Sequence, residues 1–346
     1  MPKMIKEGKI LIIITLISKA FYGKETLGMR KRYFFLLLCI LSVVSLFVGV
    51  IDISLKDLFN LTEDQKQIIL VSRLPRLLSI LIAGASMSIA GLIMQKLSQN
   101  KFVSPTTAGT MESARLGILI SLLLFTNATP LQKMGVAFAC SLGGTFLFMK
   151  ILDHIKYKDV IFVPLVGLMF GGIIGSISTF FAYKYDLIQN MASWLLGDFS
   201  MVLKGRYELM YVSVPLMVFA YLYANQFAVA GLGEDFAKNL GLKYRQVVNI
   251  GLAIVAMITA SVVLTVGMIP FLGLIVPNIV AMYQGDHLKN SLSHTALLGA
   301  VFVLVCDILG RVIIYPYEIS ISVTVGVIGS IMFIWLIFKR QGAHGS

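Results

Sequence analysis

The charged residues that could do chemistry in this chain stand at the borders of long apolar segments. Arg73 and Arg76 flank Leu-Pro, and Asp307 and Arg311 stand four residues apart in another apolar segment. Residues three or four apart share a helix face, and guanidinium groups pair well with carboxylates. The pair Arg73 and Arg76, to which Arg311 adds, suggests a purpose such as capture of an acidic partner. Snorkelling to lipid headgroups and a structural Asp307–Arg311 ion pair explain the same spacing.

Further polar residues interrupt the apolar segments. Glu112 and Arg115 are three residues apart, which predicts a structural ion pair. Irregular backbone inside a membrane needs a wet or protein-filled setting, so Pro and Gly within an apolar run are typical of a transporter cavity. The candidates for translocation or gating are Gln95, Asn100, Pro270, Gly273, Pro277 and Asn278.

Enzyme chemistry finds no support in the sequence. The four histidines and three cysteines show no H-E-x-x-H or C-x-x-C spacing, and no G-x-x-x-x-G-K-[ST] motif is present. We therefore expect no metal, no cofactor, no catalytic residue and no ATP site on this subunit.

The elements that carry these residues are apolar helices. The chain is 58% hydrophobic and 13% charged, with a mean hydropathy of +0.87, whereas soluble domains have about 25% charged residues. A membrane span needs about 20 apolar residues. We predict an all-α, polytopic membrane protein with about ten spans, near 34–51, 74–94, 106–125, 131–149, 160–182, 208–227, 247–266, 268–284, 294–313 and 320–338.

The net charge of +12 does not indicate nucleic acid, because the basic residues alternate between loops instead of forming one patch. The positive-inside rule then places both termini in the cytoplasm. Residues 1–33 form a basic extension, cytoplasmic or interfacial, since their apolar run is too short to span. Residues 34–340 form the transmembrane domain, and 341–346 form a short tail.

Two glycine patterns indicate close contacts. Gly167, Gly171 and Gly175 are four apart and line one helix face, which favours a helix contact within the chain or across a dimer seam. The loop 231–246 contains a short amphipathic stretch from Glu234 that ends at Gly241, a typical helix C-cap residue. A solvated loop is the plainer interpretation of this stretch.

Several of these motifs occur in the order found in one family. R-L-P-R at 73–76, the polar stretch 95–105, the loop 231–246, GMIPFLGLIVPNIV at 267–280, D-x-x-x-R at 307–311 and P-x-E at 316–318 together resemble the FecCD/BtuC-type permeases, the membrane subunits of ABC importers for ferric siderophores, haem and cobalamin. The chain departs from that pattern at Asn278, where His is usual, and at GTMESARLG (109–117), which replaces L-G-x-x-x-G-A.

The resemblance implies a type II ABC importer permease fold in the bacterial cytoplasmic membrane. It implies a second permease subunit, two ATPase subunits and an extracytoplasmic substrate-binding protein or lipoprotein, with a ferric siderophore as cargo. The GTMESARLG variant favours a non-identical second permease. In this family the arginines of R-L-P-R and D-x-x-x-R receive glutamates of the binding protein, and the cytoplasmic loop couples to the ATPase. The corresponding residues here are Arg73, Arg76 and Arg311 for docking, and Glu234, Ala237, Leu240 and Gly241 for coupling.

The main alternative is a secondary transporter driven by an ion gradient. Such a protein needs membrane carboxylates that are free to bind ions or protons. Glu112 and Asp307 each have an arginine at helical spacing, which disfavours this class. A membrane enzyme would require a nucleophile or metal set that the sequence does not contain.

Overall fold

The structure is a computed structural model that describes residues 31–49, 62–125, 129–155, 162–205, 207–284 and 288–343. Over these ranges it is helical, with an isolated bridge between Leu196 and Met268 in place of any sheet. The prediction of an all-α membrane protein is confirmed. The helices are α1 (Lys31–Phe47), α2 (Glu63–Ile68), α3 (Leu74–Leu97), α4 (Thr110–Leu124), α5 (Pro130–His154), α6 (Phe162–Lys184), α7 (Ile188–Leu195), α8 (Ser213–Leu222), α9 (Ala224–Ala230), α10 (Glu234–Asn239), α11 (Tyr244–Thr265), α12 (Leu272–Gln284), α13 (Leu288–Ile313) and α14 (Ile321–Ala343).

Every predicted span overlaps a helix, but not every helix is long enough to cross a bilayer alone. In the described ranges five helices pass a test of length and hydropathy, and a sixth span results if the pair 208–222 and 224–230, bent by 64°, is counted as one. The other predicted spans fall on α1, α4, α12 and α14. Helices α4 and α12 are short because non-helical backbone precedes each of them, and protein packed around such backbone makes it tolerable in a membrane.

Helix α3 lies at the centre of the bundle. The buried share of the most apolar 18 residues is 83% in the helix that contains α3. It is 72% in α11, 61% in α13, 33% in α5 and 22% in α6. A Cβ added to Gly91 would lie 1.9 Å from the Gly273 carbonyl oxygen, and one added to Gly84 would lie 2.7 Å from that of Gly299. Small residues thus let α12 and α13 touch the backbone of α3. The run of small residues from Ala83 to Gly91 is the signal for these contacts, and the sequence interpretation missed it.

The second span, predicted from residue 74, belongs to a helix that begins earlier in the chain. Helical backbone runs from Glu63, capped by Thr62, through a π turn at Ile69–Arg73 and on to Leu97. Proline has no N–H to give the carbonyl four residues back. The Val71 carbonyl instead accepts a hydrogen bond from the backbone N–H of Lys204 at 3.0 Å, so a partner from another segment satisfies the break.

The termini of the described bundle extend slightly past the predicted domain limits. Helix α1 begins at Lys31 and α14 ends at Ala343. Residues 1–30 of the predicted basic extension and residues 344–346 of the tail lie outside the described residues. The domain division therefore stays a prediction.

Candidate functional site

Three helices meet at a cluster of charged side chains, the arginine cluster, formed by Arg73, Arg76, Asp307, Arg311 and Glu318. Asp307 Oδ1 accepts from Arg76 Nε at 3.2 Å and from Arg76 Nη2 at 2.7 Å, while Oδ2 accepts from Arg311 Nη2. Arg76 Nη1 also donates to Glu318 Oε2 at 2.7 Å. The Asp307–Arg311 pair therefore forms as its spacing predicts, and Arg76 joins it from α3.

The two other arginines hold the end of α1. Arg311 Nη1 donates to the carbonyls of Ser45 at 3.0 Å and Val48 at 2.7 Å, and Arg311 Nη2 donates to Ser45 Oγ at 2.6 Å. Arg73 Nη1 donates to the Leu46 carbonyl. The last carbonyls of a helix lack helical partners, and cations are favourable beside them. The arginine cluster thus caps α1, a role that spacing along one segment cannot reveal.

The predicted docking residues differ in how much of each side chain is exposed. Arg73 is 8% exposed and Arg311 is 6% exposed, so their guanidinium groups are enclosed by α1. The side chains of Arg76 and Glu318 are 13% and 27% exposed, and they present the accessible part of the arginine cluster. Three guanidinium groups and two carboxylates give it a net charge of +1. Docking by the three arginines stays a prediction.

The loop 231–246 folds around α10, as its amphipathic pattern predicts. Gly241 has φ +78° and its N–H donates to the Lys238 carbonyl at 2.9 Å, while Leu242 N–H donates to the Ala237 carbonyl at 3.0 Å. This is a Schellman motif, which requires a left-handed residue at the position of Gly241. The predicted helix C-cap is confirmed.

An apolar stripe lies on the outer face of this loop. Leu232, Phe236 and Leu240 recur every four residues and are 62%, 52% and 61% exposed. Of the predicted coupling residues, Leu240 belongs to this stripe and Ala237 is fully buried beneath it. Glu234 forms an ion pair with Lys238 at 2.8 Å. Leu232 and Phe236 were missed in the sequence, although their fourfold spacing is a readable signal.

The predicted gating residues brace α12 against the end of α3. Pro277 cannot donate to the Gly273 carbonyl. Gln95 Nε2 approaches that carbonyl at 3.4 Å and the Leu274 carbonyl at 3.3 Å. The side chain of Gln95 therefore partly replaces the helical bond that the proline removes.

Asn278 and Asn100 form further hydrogen bonds between their side chains and the backbone in this region. Asn278 Nδ2 donates to the Lys101 carbonyl at 2.7 Å and to the Leu274 carbonyl at 2.7 Å. Asn100 Oδ1 accepts from Phe102 N–H at 2.8 Å. Both side chains are buried, whereas Pro270 is half-buried beside Phe271, whose φ is +58°. The amide at position 278, where the resembled family usually has His, thus joins α12 to the turn after α3.

The third charged site lies between α4 and α6. Arg115 Nη1 is 3.3 Å from Glu112 Oε2, and the pair lines a groove of about 510 Å³. Cβ atoms added to Gly167, Gly171 and Gly175 would meet the Thr107 carbonyl, Gly109 and the Glu112 carboxylate, respectively. The glycine face of α6 thus makes contacts within this chain.

Metal ligands are not grouped in the described ranges. No set of three or more His, Cys, Asp or Glu side chains in the described ranges is close enough to hold an ion.

Comparison with known proteins gives a consistent picture. The FecCD transport family matches residues 37–339. The chain is 66% identical over 313 residues to the petrobactin import system permease protein YclN of Bacillus subtilis, covering 90% of this chain and 99% of that one. It is 37% identical over 303 residues to the ferric-anguibactin transport system permease protein FatD of Vibrio anguillarum, covering 88% and 96%.

A solved structure shows the same fold. A metal-chelate type ABC transporter in an inward-facing conformation matches with a TM-score of 0.76 at 24% identity, over 89% of this chain and 98% of that one. The predicted permease fold is confirmed by this match.

Proposed function

Because this chain belongs to the FecCD transport family, we propose that it is the membrane-spanning permease subunit of an ABC importer that carries a ferric siderophore. It is a multi-pass protein of the cytoplasmic membrane and a transport subunit, with ATP hydrolysis on separate subunits. The observation that carries the proposal is the 66% identity to a petrobactin import permease over 99% of that relative. We therefore take ferric petrobactin as the first cargo to test.

The ionic contacts disfavour the alternative of an ion-gradient transporter. Such a transporter needs a carboxylate that is free to bind and release an ion. Asp307 accepts hydrogen bonds from two arginines and is 4% exposed. Glu112 is paired with Arg115. Both membrane carboxylates singled out in the sequence are thus held by a guanidinium group.

The apolar stripe Leu232, Phe236 and Leu240 is the proposed contact for an ATPase subunit. Its side chains are exposed, and the Schellman motif at Gly241 together with buried Ala237 fixes the helix that presents Phe236 and ends at the cap residue Leu240. An exposed apolar patch rimmed by charges such as the Glu234–Lys238 pair is typical of a protein interface. In this proposal Leu232, Phe236 and Leu240 contact the ATPase subunit. Glu234, Ala237 and Gly241 stabilise the short helix behind them.

The arginine cluster is the proposed docking face for a substrate-binding protein. Only Arg76 and Glu318 combine charge with accessible surface there. An acidic side chain of the partner would compete with Glu318 for Arg76, while Arg73 and Arg311 keep α1 in place beneath it. Charge of this kind steers association and fixes orientation more than it adds affinity.

Orientation follows from the same assignment. We place the loop 231–246 and both termini in the cytoplasm and the arginine cluster outside, in keeping with the alternating basic loops. A single cysteine at the exposed Phe236 position should react with a membrane-impermeant maleimide only in inside-out vesicles. Labelling in right-side-out vesicles would contradict this orientation.

We also propose a non-identical second permease, on the basis of the GTMESARLG segment.

Transport by the complete importer tests the function, measured as release of iron from the lumen of inside-out vesicles. Inside-out vesicles that contain this chain, a second permease and the ATPase are loaded with radioactive ferric petrobactin and its binding protein. We expect ATP-dependent movement of iron that survives an ionophore and stops when the P-loop lysine of the ATPase is replaced. Movement that collapses with the ionophore and ignores the ATPase variant would establish the secondary transporter instead.

A further inference from the structure

The groove between α4 and α6 lies near the middle of a membrane-spanning helix. Helix α6 has 23 residues and is therefore about 35 Å long, and the groove touches it between Leu168 and Thr179. A volume of about 510 Å³ is in the usual range of ligand pockets. Its lining is Thr106, Glu112, Arg115, Leu168, Gly171, Gly172, Gly175, Ser176 and Thr179.

This groove opens to the outside of the chain. Gly172, Ser176 and Thr179 are exposed along α6, and the side chains of Glu112 and Arg115 are 22% and 14% exposed. An ion pair that faces hydrocarbon is unfavourable, so ionisable residues at this depth face a water-filled space or another protein surface. The side of the chain that carries the groove therefore does not face lipid.

The guanidinium of Arg115 lines the groove and forms one long side-chain contact. Its Nη1 makes a long 3.3 Å contact with Glu112 Oε2. Its Nε is buried and has no hydrogen-bond partner in the part of the chain that the structure describes. The Nε–H is enclosed by protein, whereas the exposed part of the Arg115 side chain, 14% of it, lines the groove and can donate to an oxygen atom that enters.

Glycine makes room for the carboxylate beside it. A Cβ added to Gly175 would lie 3.2 Å from Glu112 Oε2, whereas a Cβ added to Gly172 would meet no atom within 4 Å. The backbone of α6 thus holds Glu112 against Arg115 on one side and leaves open space on the other. The groove therefore contains the carboxylate of Glu112, the guanidinium of Arg115 and unoccupied volume.

Resting on the importer function proposed above, we propose that this groove is a cargo contact on the translocation path. Arg115 donates to negatively charged oxygen atoms, carboxylate or catecholate, of the ferric chelate. Glu112 holds the guanidinium and keeps the site nearly neutral. A nearly neutral site binds an anion weakly, which suits a path that must release what it admits.

Kinetics of ferric petrobactin uptake by the complete importer test this assignment. Arg115→Lys keeps the charge and can keep the ion pair, but it removes the planar guanidinium and its forked donors. A cargo contact predicts that KM rises about tenfold, the loss expected for one charge-assisted hydrogen bond. A merely structural ion pair predicts an unchanged KM.

A second variant tests the open volume without disturbing the pair. Gly172→Leu places a side chain in the groove and should reduce uptake at least about tenfold by excluding the chelate. Gly143→Leu on α5 is the matched control, because a Cβ there also meets no atom within 4 Å. It should leave uptake unchanged at equal abundance.

Three results would overturn the proposal. An unchanged KM in both Arg115→Lys and Gly172→Leu would remove the groove from the path while leaving the importer function intact. Separation of the two permeases during purification of the Arg115→Lys importer would make the groove a subunit interface. Failure of the unmodified importer to move ferric petrobactin would exclude this cargo, and the contact proposed for it.

Discussion

The arginine cluster and the Glu112–Arg115 groove are both ion-pair sites on membrane-spanning helices, but their hydrogen bonding differs. In the arginine cluster, Asp307 bonds two guanidinium groups, and Arg311 also bonds two backbone carbonyls. In the groove a single contact of 3.3 Å joins Glu112 to Arg115. One site uses its charges to hold helices together, whereas the other has a single long contact beside open volume.

The two sites also differ in how deeply their charged side chains are buried. Asp307 and Arg311 are 4% and 6% exposed, so removal of either leaves an enclosed charge without its partner. Breaking a buried pair in this way is strongly destabilising, whereas partly exposed pairs contribute little. We therefore expect stability to depend on the arginine cluster and transport to depend on the groove.

The largest expected effect is that of Asp307→Ala. Arg76 and Arg311 would lose their shared carboxylate, which should lower the free energy of unfolding by about 3–5 kcal/mol. Denaturant titration of the purified permease in detergent, followed by loss of helical signal, measures this change. A loss below about 1 kcal/mol would show that water already compensates these charges.

Arg73→Met should have the next largest effect. It keeps an apolar stem but removes the donor to the Leu46 carbonyl at the end of α1. We expect a loss of about 1–3 kcal/mol, since the bond is charge-assisted and buried. Faster hydrogen exchange at the C-terminal turn of α1 than in α5 would localise the change. Uniform exchange throughout the bundle would contradict the capping role.

Glu318→Gln should destabilise the fold far less than Asp307→Ala. Glu318 is the more exposed partner of Arg76, and exposed ion pairs contribute about 0.2–1 kcal/mol. Because the substitution frees Arg76 for an acidic partner, the binding protein should associate more tightly with the importer in a surface-binding measurement. Weaker association would mean that Glu318 itself contacts the partner.

The smallest effect on stability should be that of Arg115→Met. Its ion pair is partly exposed and long, so we expect a change within about 1 kcal/mol. The same denaturant titration measures it beside Asp307→Ala. A loss as large as that of Asp307→Ala would remove the distinction between a structural cluster and an open groove.

Local patterns in the sequence predicted several features correctly. Each of the ten spans located by hydropathy overlaps a helix, although α2, α7 and α10 lie outside them, and helical spacing paired Asp307 with Arg311 and Glu112 with Arg115. The glycine preference of a left-handed C-cap identified the end of α10 at Gly241. These features depend on residues within about one or two helical turns of each other, so one segment carries all the information.

Features that join distant segments were not predicted. The capping of α1 by Arg73 and Arg311, the replacement of a helical bond by Gln95, and the contact of Lys204 with Val71 all require knowledge of which elements are neighbours. The helical start at Glu63 was also missed, since the predicted span begins at residue 74, and a π turn and an outside donor accommodate Pro75 within the longer helix.

The sequence by itself determined that this protein is a helical membrane bundle with charged groups at fixed positions along its spans, because apolar length and helical spacing are local properties. Only the tertiary structure decided which charges are enclosed and which remain available. That outcome depends on how closely the helices approach, and glycine contacts such as Gly91–Gly273 and Gly175–Glu112 set those distances.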